Sequence, residues 1–278
     1  MLDEERSGAK LNGWLAQVCF SPDGSRFVDT FCIVWNVSTR KVLLQFDGHS
    51  GLVHGLSWSP DSLKIVSVGK SGISDNIPGE MYIWNANTGE KLLNLEGHSK
   101  VVPCACWSPD GNFIISGSYG EVFMWDAGTG AKVLEMLGHV SVVKAVCWSP
   151  DGSLIVSCSW DRTIIVWSAK TGDKERTLLG HSGGIASVDW SPDGTKIVSG
   201  GHSSVCASLG EIIVWLAASG EILIHLKDHP GFVGSVCWSP DSSKIASGSS
   251  IGNCTIWSFE CRSQESDCQQ RGQSQQVN

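Results

Sequence analysis

The chain has 278 residues, with 20 Lys and Arg against 28 Asp and Glu and a formal charge of −8. That length admits one large all-β domain or two ordinary ones with a sizeable core, and an acidic balance without a basic run argues against a nucleic-acid partner. The opening "MLDEERSGAKLNG" lacks the apolar centre of a secretory signal and no stretch has the length of a membrane span, so a soluble protein of the cytoplasm or nucleus is expected, away from the membrane.

In chain order, one phrase returns six times: "VCFSPDG" at 18, "LSWSPDS" at 56, "ACWSPDG" at 105, "VCWSPDG" at 146, "VDWSPDG" at 188 and "VCWSPDS" at 236. A second landmark closes each copy at Trp35, Trp84, Trp125, Trp167, Trp215 and Trp257. A third, a His after Gly or Asp, falls at His49, His98, His139, His181 and His229. Between the landmarks short β-branched apolar runs alternate with Pro-Asp-Gly or Thr-Gly turn signals, which is strand chemistry, and no segment carries a helical period. In the fourth copy "VVKAVCW", "SLIVSCS", "TIIVWS" and "KERTLL" read as four strands. A sheet of four short strands cannot cover its own faces, so each must stack on its neighbours, and a closed ring leaves only short edges.

These residues resemble WD-repeat β-propellers, whose repeat opens with Gly-His and closes with Trp-Asp. The resemblance runs over about residues 7 to 259, although the closing dipeptide is intact only at Trp125-Asp126. It implies an all-β fold of six four-stranded blades within residues 1–259, with a seven-blade chain cut short as the alternative. After Trp257 the chain turns polar, so the last blade lacks its outer strand, and "SGAKL" at 7–11, which matches "TGEKL" and "TGAKV", is expected to supply it. The first copy is short between its turn and Trp35 and lacks the Gly-His loop, so a malformed first blade is expected. Copies two and five lengthen the loop between their second and third strands ("GKSGISDNIPGE" and "GHSSVCASLGE") on one rim. Residues 260–278, rich in Gln and Ser, read as a disordered tail.

A Ser, a His and an Asp in one copy invite a hydrolase reading, which needs an exposed nucleophile, a base in reach and oxyanion donors. The resemblance implies instead that His139, Ser157, Asp161 and the Trp167 indole satisfy one another inside the blade. In the other copies Tyr119, Leu209 and Ile251 replace the Asp, so only the fourth network is expected to be complete. No metal or cofactor is expected: His202 with Cys206, and His225 with His229, offer two ligands each where structural zinc takes four. The eleven cysteines scatter through strand patterns without a C-x-x-C and read as reduced packing residues. Cys106, Cys147 and Cys237 share one repeat position.

The repeat absorbs most tryptophans, leaving Trp14 and Trp160 outside its register. Large aromatics outside a packing register mark interfaces. Trp160 precedes the turn Asp161, a place that in the resembled family looks out from the upper rim, and Tyr119 occupies the neighbouring slot. Counting back from each first-strand aromatic adds His54, Pro103 and Lys144, then Trp14, Leu52, Val142 and Phe232. The expectation is a non-catalytic scaffold or adaptor that binds a peptide or protein partner on this rim, as a monomeric ring within a larger complex. A sensor domain of a larger protein, and an enzyme with a nucleophile at Ser157, Cys158 or Cys206, are the alternatives.

Overall fold

The recurring Ser-Pro-Asp phrase is a turn held by its own side chains. In the fourth copy Ser149 Oγ donates to Asp151 Oδ1 at 2.6 Å and accepts from Leu154 N at 2.9 Å, while Asp151 Oδ1 accepts from Ser153 N at 3.0 Å. Asp and Ser side chains that bond the backbone in this way reverse a chain without help from a sheet. The next residue takes positive φ, +71° at Gly152, and the two copies with Ser there adopt the same region at Ser62 (+61°) and Ser242 (+58°). Every copy therefore makes a hairpin of its first two strands.

The computed structural model describes residues 18–71, 77–204, 206 and 208–258, and among them all regular structure is antiparallel strand. The first sheet is β1 (Val18–Phe20), β2 (Arg26–Asp29), β3 (Ile33–Asn36) and β4 (Val42–Gln45). The second is β5 (Val53–Trp58), β6 (Lys64–Lys70), β7 (Gly79–Asn85) and β8 (Lys91–Asn94). β9 (Cys104–Trp107), β10 (Phe113–Gly117), β11 (Tyr119–Asp126), β12 (Lys132–Trp148), β13 (Leu154–Ser159), β14 (Thr163–Ser168) and β15 (Lys174–Leu179) form a seven-stranded sheet. It consists of two four-stranded units that share the 17-residue β12, whose first half pairs with β11 and second half with β13. β16 (Ile185–Trp190), β17 (Lys196–His202), β18 (Leu209–Leu216) and β19 (Ile222–Pro230) make the fifth unit, and β20 (Val233–Trp238), β21 (Lys244–Ser249) and β22 (Cys254–Ser258) the last.

The core lies between these units rather than within them. Each unit has a trailing face, exemplified by Val156, Cys158, Ile164, Val166 and Leu178 of the fourth, and a leading face, exemplified by Ile185, Val188, Trp190, Ile197 and Trp215 of the fifth. Pressed together these two faces make one cluster, and four further clusters repeat the arrangement at the other successive pairs. Alternation along the strands explains it, because successive side chains point to opposite faces and both faces must be apolar in a stacked sheet. Polar clasps accompany the joints. Arg26 donates to Ala86 O at 3.0 Å and Asn87 Oδ1 at 2.8 Å, tying the first unit to the second. Asp189 Oδ2 accepts from Trp238 N at 2.8 Å and Ser187 Oγ from Val236 N at 3.1 Å, tying the fifth to the last.

Two expectations change. The short first copy is not malformed: its strands pair in full order, because the trimmed residues come from the β2–β3 turn, where Cys32 adopts φ +60° and Asp29 Oδ1 accepts from the Phe31 and Ile33 N–H groups. The closure expected between the last and first units rests on residues outside the described ones, and among the described residues there is no sixth cluster. Cys237, expected to pack like Cys106 and Cys147, is exposed there, together with Phe20 of β1. The proposed closing strand at 7–11, Trp14 and the 260–278 tail lie outside the described residues.

Because the joints carry the core, Ile165→Ala, at a side chain 1% exposed in the joint between the third and fourth units, is expected to cost about 2–5 kcal/mol. Leu43→Ala on the exposed outer strand of the first unit is expected to stay within about 0.5 kcal/mol. Urea denaturation of the two variants measures the contrast.

Candidate functional site

Inside each unit from the second to the last a chain of hydrogen bonds runs from the closing tryptophan to the segment that precedes the unit. In the fourth, Trp167 Nε1 donates to Ser157 Oγ at 2.8 Å, Ser157 Oγ lies 2.8 Å from His139 Nε2, and His139 Nδ1 lies 2.8 Å from Asp161 Oδ2. The donors fix the proton positions. The Asp161 carboxylate can only accept, so the neutral His139 carries its proton on Nδ1 and its Nε2 accepts a hydrogen bond from the Ser157 hydroxyl, whose oxygen in turn accepts from the indole N–H. Asp161 Oδ2 also accepts from Val140 N at 3.0 Å, which fastens the His139 loop to the β13–β14 turn. Ser157 is wholly buried, and its hydroxyl is spent between two partners. A nucleophile needs access and a free base, and Ser157 has neither.

The fourth copy is not alone in this, contrary to the expectation from its unique turn aspartate. His49 Nδ1 lies 3.1 Å from Glu80 Oε2 and its Nε2 2.6 Å from Ser67 Oγ, which takes the Trp84 N–H at 2.7 Å. His98 repeats this with Glu121 at 3.1 Å, Ser116 at 2.7 Å and Trp125. His181 bonds Ser199 at 2.7 Å and approaches Glu211 at 3.5 Å, too long for a well-formed hydrogen bond. Glu211 instead accepts from the Ser182 hydroxyl at 2.6 Å and N–H at 2.9 Å. Each glutamate stands four residues before its tryptophan, in the slot of Thr163, and reaches the histidine with one more methylene than an aspartate. The signal was present as Gly-Glu at 79–80, 120–121 and 210–211. The glycines serve the same joint: a Cβ at Gly210 would stand 2.6 Å from Gly231 O. Only the ends differ. His229 Nδ1 donates to Pro230 O at 3.0 Å, and in the first unit Asp29 takes the Trp35 N–H at 2.9 Å with no histidine above it.

Burial holds these imidazoles neutral. It pushes His139 and His49 below the ordinary histidine range against the pull of Asp161 and Glu80, and takes His98 down to about 3. Burial raises Asp161 and Glu211, but hydrogen bonds from Thr163, Val140 and His139 in one case, and the nearby His181 with hydrogen bonds from Ser182 in the other, outweigh it, leaving Glu211 at about 2. Glu121 is raised by burial and by the Glu135 charge, which Lys132 only partly offsets. The thiols follow the same rule, with Cys104 and Cys106 pushed up to about 12 by burial and Cys158 higher still. Cys206 differs: its Sγ lies 3.0 Å from Ser208 Oγ and its proton is held less tightly, chiefly because of that hydroxyl. Among the described residues no three His, Cys, Asp or Glu side chains are grouped to hold a metal ion.

What remains is the rim at the end of the units where these loops gather. The turn that aims Asp161 inward leaves Trp160 outside, 52% exposed, with Lys144 Nζ 5.1 Å from its ring centroid. Trp160 N donates to Val142 O at 3.1 Å, and Val142 pairs with Tyr119, itself 51% exposed with Lys100 Nζ 5.8 Å from its ring. On the other side Gly184 packs closely, since a Cβ there would stand 3.1 Å from Trp160 and 2.8 Å from the His202 ring. The His202 ring meets Phe232 edge to face at 6.0 Å. The structure thus joins Tyr119, Val142, Lys144, Trp160 and Phe232 into one strip across the third to the last units. His202, read from sequence only as a weak metal ligand, is the link, and Lys100 was missed. Leu52, exposed, and His54 and Pro103, half-buried, hold the equivalent strand ends on the second and third units.

The model of the WD domain, G-beta repeat, matches residues 40–75, 89–126, 130–168, 172–207 and 220–258. No curated protein matches the chain.

Two outcomes follow from the buried chain of hydrogen bonds. His139→Ala strands a buried serine and carboxylate and is expected to cost about 1–3 kcal/mol, read as a lower Tm. Histidines whose native proton affinity is depressed are protonated first in the unfolded chain, so their stabilisation is complete above about pH 6.5 and is lost as pH falls below it. Thermal melts between pH 8 and pH 4 should therefore show a Tm that is level near neutrality and then declines, with a shallower decline in His98→Phe.

Proposed function

The chain belongs to the family of proteins built from the WD domain, G-beta repeat, and on that basis we propose that it is a non-catalytic scaffold whose six units are propeller blades and whose upper rim binds a protein or peptide. Members of the family generally mediate protein–protein interaction and are typically non-catalytic. The observation that carries the reading is the strip from Tyr119 through Trp160 to Phe232. It places three aromatic rings and two lysine cations on one surface, while the interior consumes the tryptophans and histidines of the repeat in packing and hydrogen bonds. Aromatic anchors beside cations supply large contact area at low entropic cost and favour a partner segment with apolar and acidic side chains. Leu52, His54 and Pro103 extend the same rim, with Trp14 as a further candidate.

The residues 7–11 would add an outer strand where the chain ends meet. The protein would act as a single ring inside a larger assembly of the cytoplasm or nucleus. Nothing in the rim favours nucleic acid or a membrane.

Affinity purification with the intact chain as bait identifies the partner, and titration then tests the strip. Trp160→Ala and Phe232→Ala are each expected to weaken the complex by about tenfold or more, or at least about 1.4 kcal/mol, with Tm nearly unchanged for the exposed Trp160. Retention of full affinity by both variants would refute the rim assignment.

A further inference from the structure

At the end of the units opposite the rim, where the Ser-Pro-Asp turns gather, the first joint is closed by a cation. Arg26, the first residue of β2, lays its guanidinium over the Trp58 ring, with Cζ 4.9 Å from the centroid, and donates to Ser62 O as well as to Ala86 O and Asn87 Oδ1. A guanidinium suits such a place because it stacks on an aromatic face while its planar fork meets carbonyl oxygens. The third joint has the same walls. Trp148, Gly152, Ala169 and Lys170 stand at the repeat positions of Trp58, Ser62, Ala86 and Asn87. The backbone is held alike in both, with Ala86 N donating to Leu63 O at 2.8 Å and Ala169 N to Ser153 O at 3.0 Å. Phe113 takes the position of the arginine. The result is a cleft of about 320 Å³ between the third and fourth units, lined by these residues and by Asp110 and Asp151.

We propose that this cleft receives the side chain of an arginine from a partner protein, seated over Trp148 as Arg26 is seated over Trp58. The site is separate from the rim and does not rest on it. Comparison of the joints specifies the ligand. Lys64 and Lys196 hold the position of Arg26 in the second and fifth units. The fourth unit has Leu154 there, but Arg176 of β15 donates to Ala217 O, the counterpart of Ala86 O, and to Ala218 O at 2.6 Å. The third unit has Phe113 at one of these positions and Leu134 at the other, so it brings no cation to its joint. Trp148 is 6% exposed and its indole N–H has no hydrogen-bond partner among the described residues, whereas Trp58 donates to Cys19 O at 3.0 Å. The wall thus carries a buried donor that the chain leaves unused. Hydrogen bonds, chiefly from Ser108 and Ser149, hold Asp110 and Asp151 below the ordinary carboxylate range, so both are anions at neutral pH. Lys170 is the one cation of the lining, and it leaves the cleft acidic against two carboxylates. Gly152 also brings no hydroxyl where Ser62 Oγ accepts from Asp23 N at 3.2 Å across the first joint. Lysine is the poorer ligand, because an ammonium neither stacks nor forks.

The test is a titration of the full chain with the peptide acetyl-Ala-Ala-Arg-Ala-Ala-amide and with its citrulline and lysine counterparts. It is followed by NMR at the indole N–H of Trp148, assigned with Trp148→Phe. The arginine peptide is expected to shift this signal to saturation and to bind at least about tenfold more tightly than the citrulline peptide, with the Trp160 signal unmoved. Phe113→Arg, which places the cation of the first joint in the third, should abolish the response. Lys170→Asn, at an exposed side chain, should tighten binding by about threefold or more. An unmoved Trp148 signal overturns the proposal, as does equal affinity for the citrulline peptide or a full response in Phe113→Arg. Unchanged or weaker binding by Lys170→Asn overturns it even if Phe113→Arg fails to fold. Binding that emerges only when Arg6, Arg262 and Arg271 are replaced by Ser would assign the cleft to the chain's own arginines and overturn it equally. Trp160→Ala should leave the titration unchanged, so the rim and the cleft can each fail alone.

Discussion

A sheet of four short strands has two apolar faces and no means of covering either, and that constraint organises this protein. Its solution is the joint: a valine- and isoleucine-rich trailing face against a leading face that carries one tryptophan on the inner strand and another at the end of the third. Apolar burial of this kind contributes about 25 cal/mol per Å², so each indole that closes a joint outweighs any single polar contact nearby. The same arithmetic explains why Phe20 and Ile256 stand out. Equivalent positions elsewhere are buried, and among the described residues no neighbouring unit covers these two.

The second constraint is polar. Pressing loops against a stack of sheets buries hydroxyls and imidazoles, which must then find partners. The Trp–Ser–His–carboxylate chain provides them in one line, the hydroxyl and the imidazole of the fourth unit each both donating and accepting. Its consequence for function is subtractive: the repeat's own serines and histidines are desolvated, the imidazoles are neutral, and the serine hydroxyls are bound within the units. Chemistry at the surface is left to what the repeat does not require, which is the rim strip around Trp160.

Particular residues mark how much of this was legible in the sequence. The hairpins were, because Ser149 and Asp151 bond their own backbone and need no neighbour to do so. The strands of the fourth unit were, because alternation of apolar residues is a local property. The glutamates were not. Glu80, Glu121 and Glu211 sit in the slot of Thr163 rather than that of Asp161, and a search for aspartate at one offset passes over a longer side chain arriving from another. His202 was misjudged for a related reason: spacing set it beside Cys206 along the chain, whereas folding across the joint set it against Phe232. The first unit was misjudged because a short loop was read as a defect, when a turn through Cys32 accommodates it.

The sequence by itself determined the period, the strands, the turns and the division between packing residues and leftovers, since all of these follow from interactions within about ten residues or from comparison of one copy with another. Only the tertiary structure decided which leftovers are neighbours and which carboxylate serves which histidine. Those depend on the distance between units that are remote in the chain, and no local pattern of residue types encodes a distance.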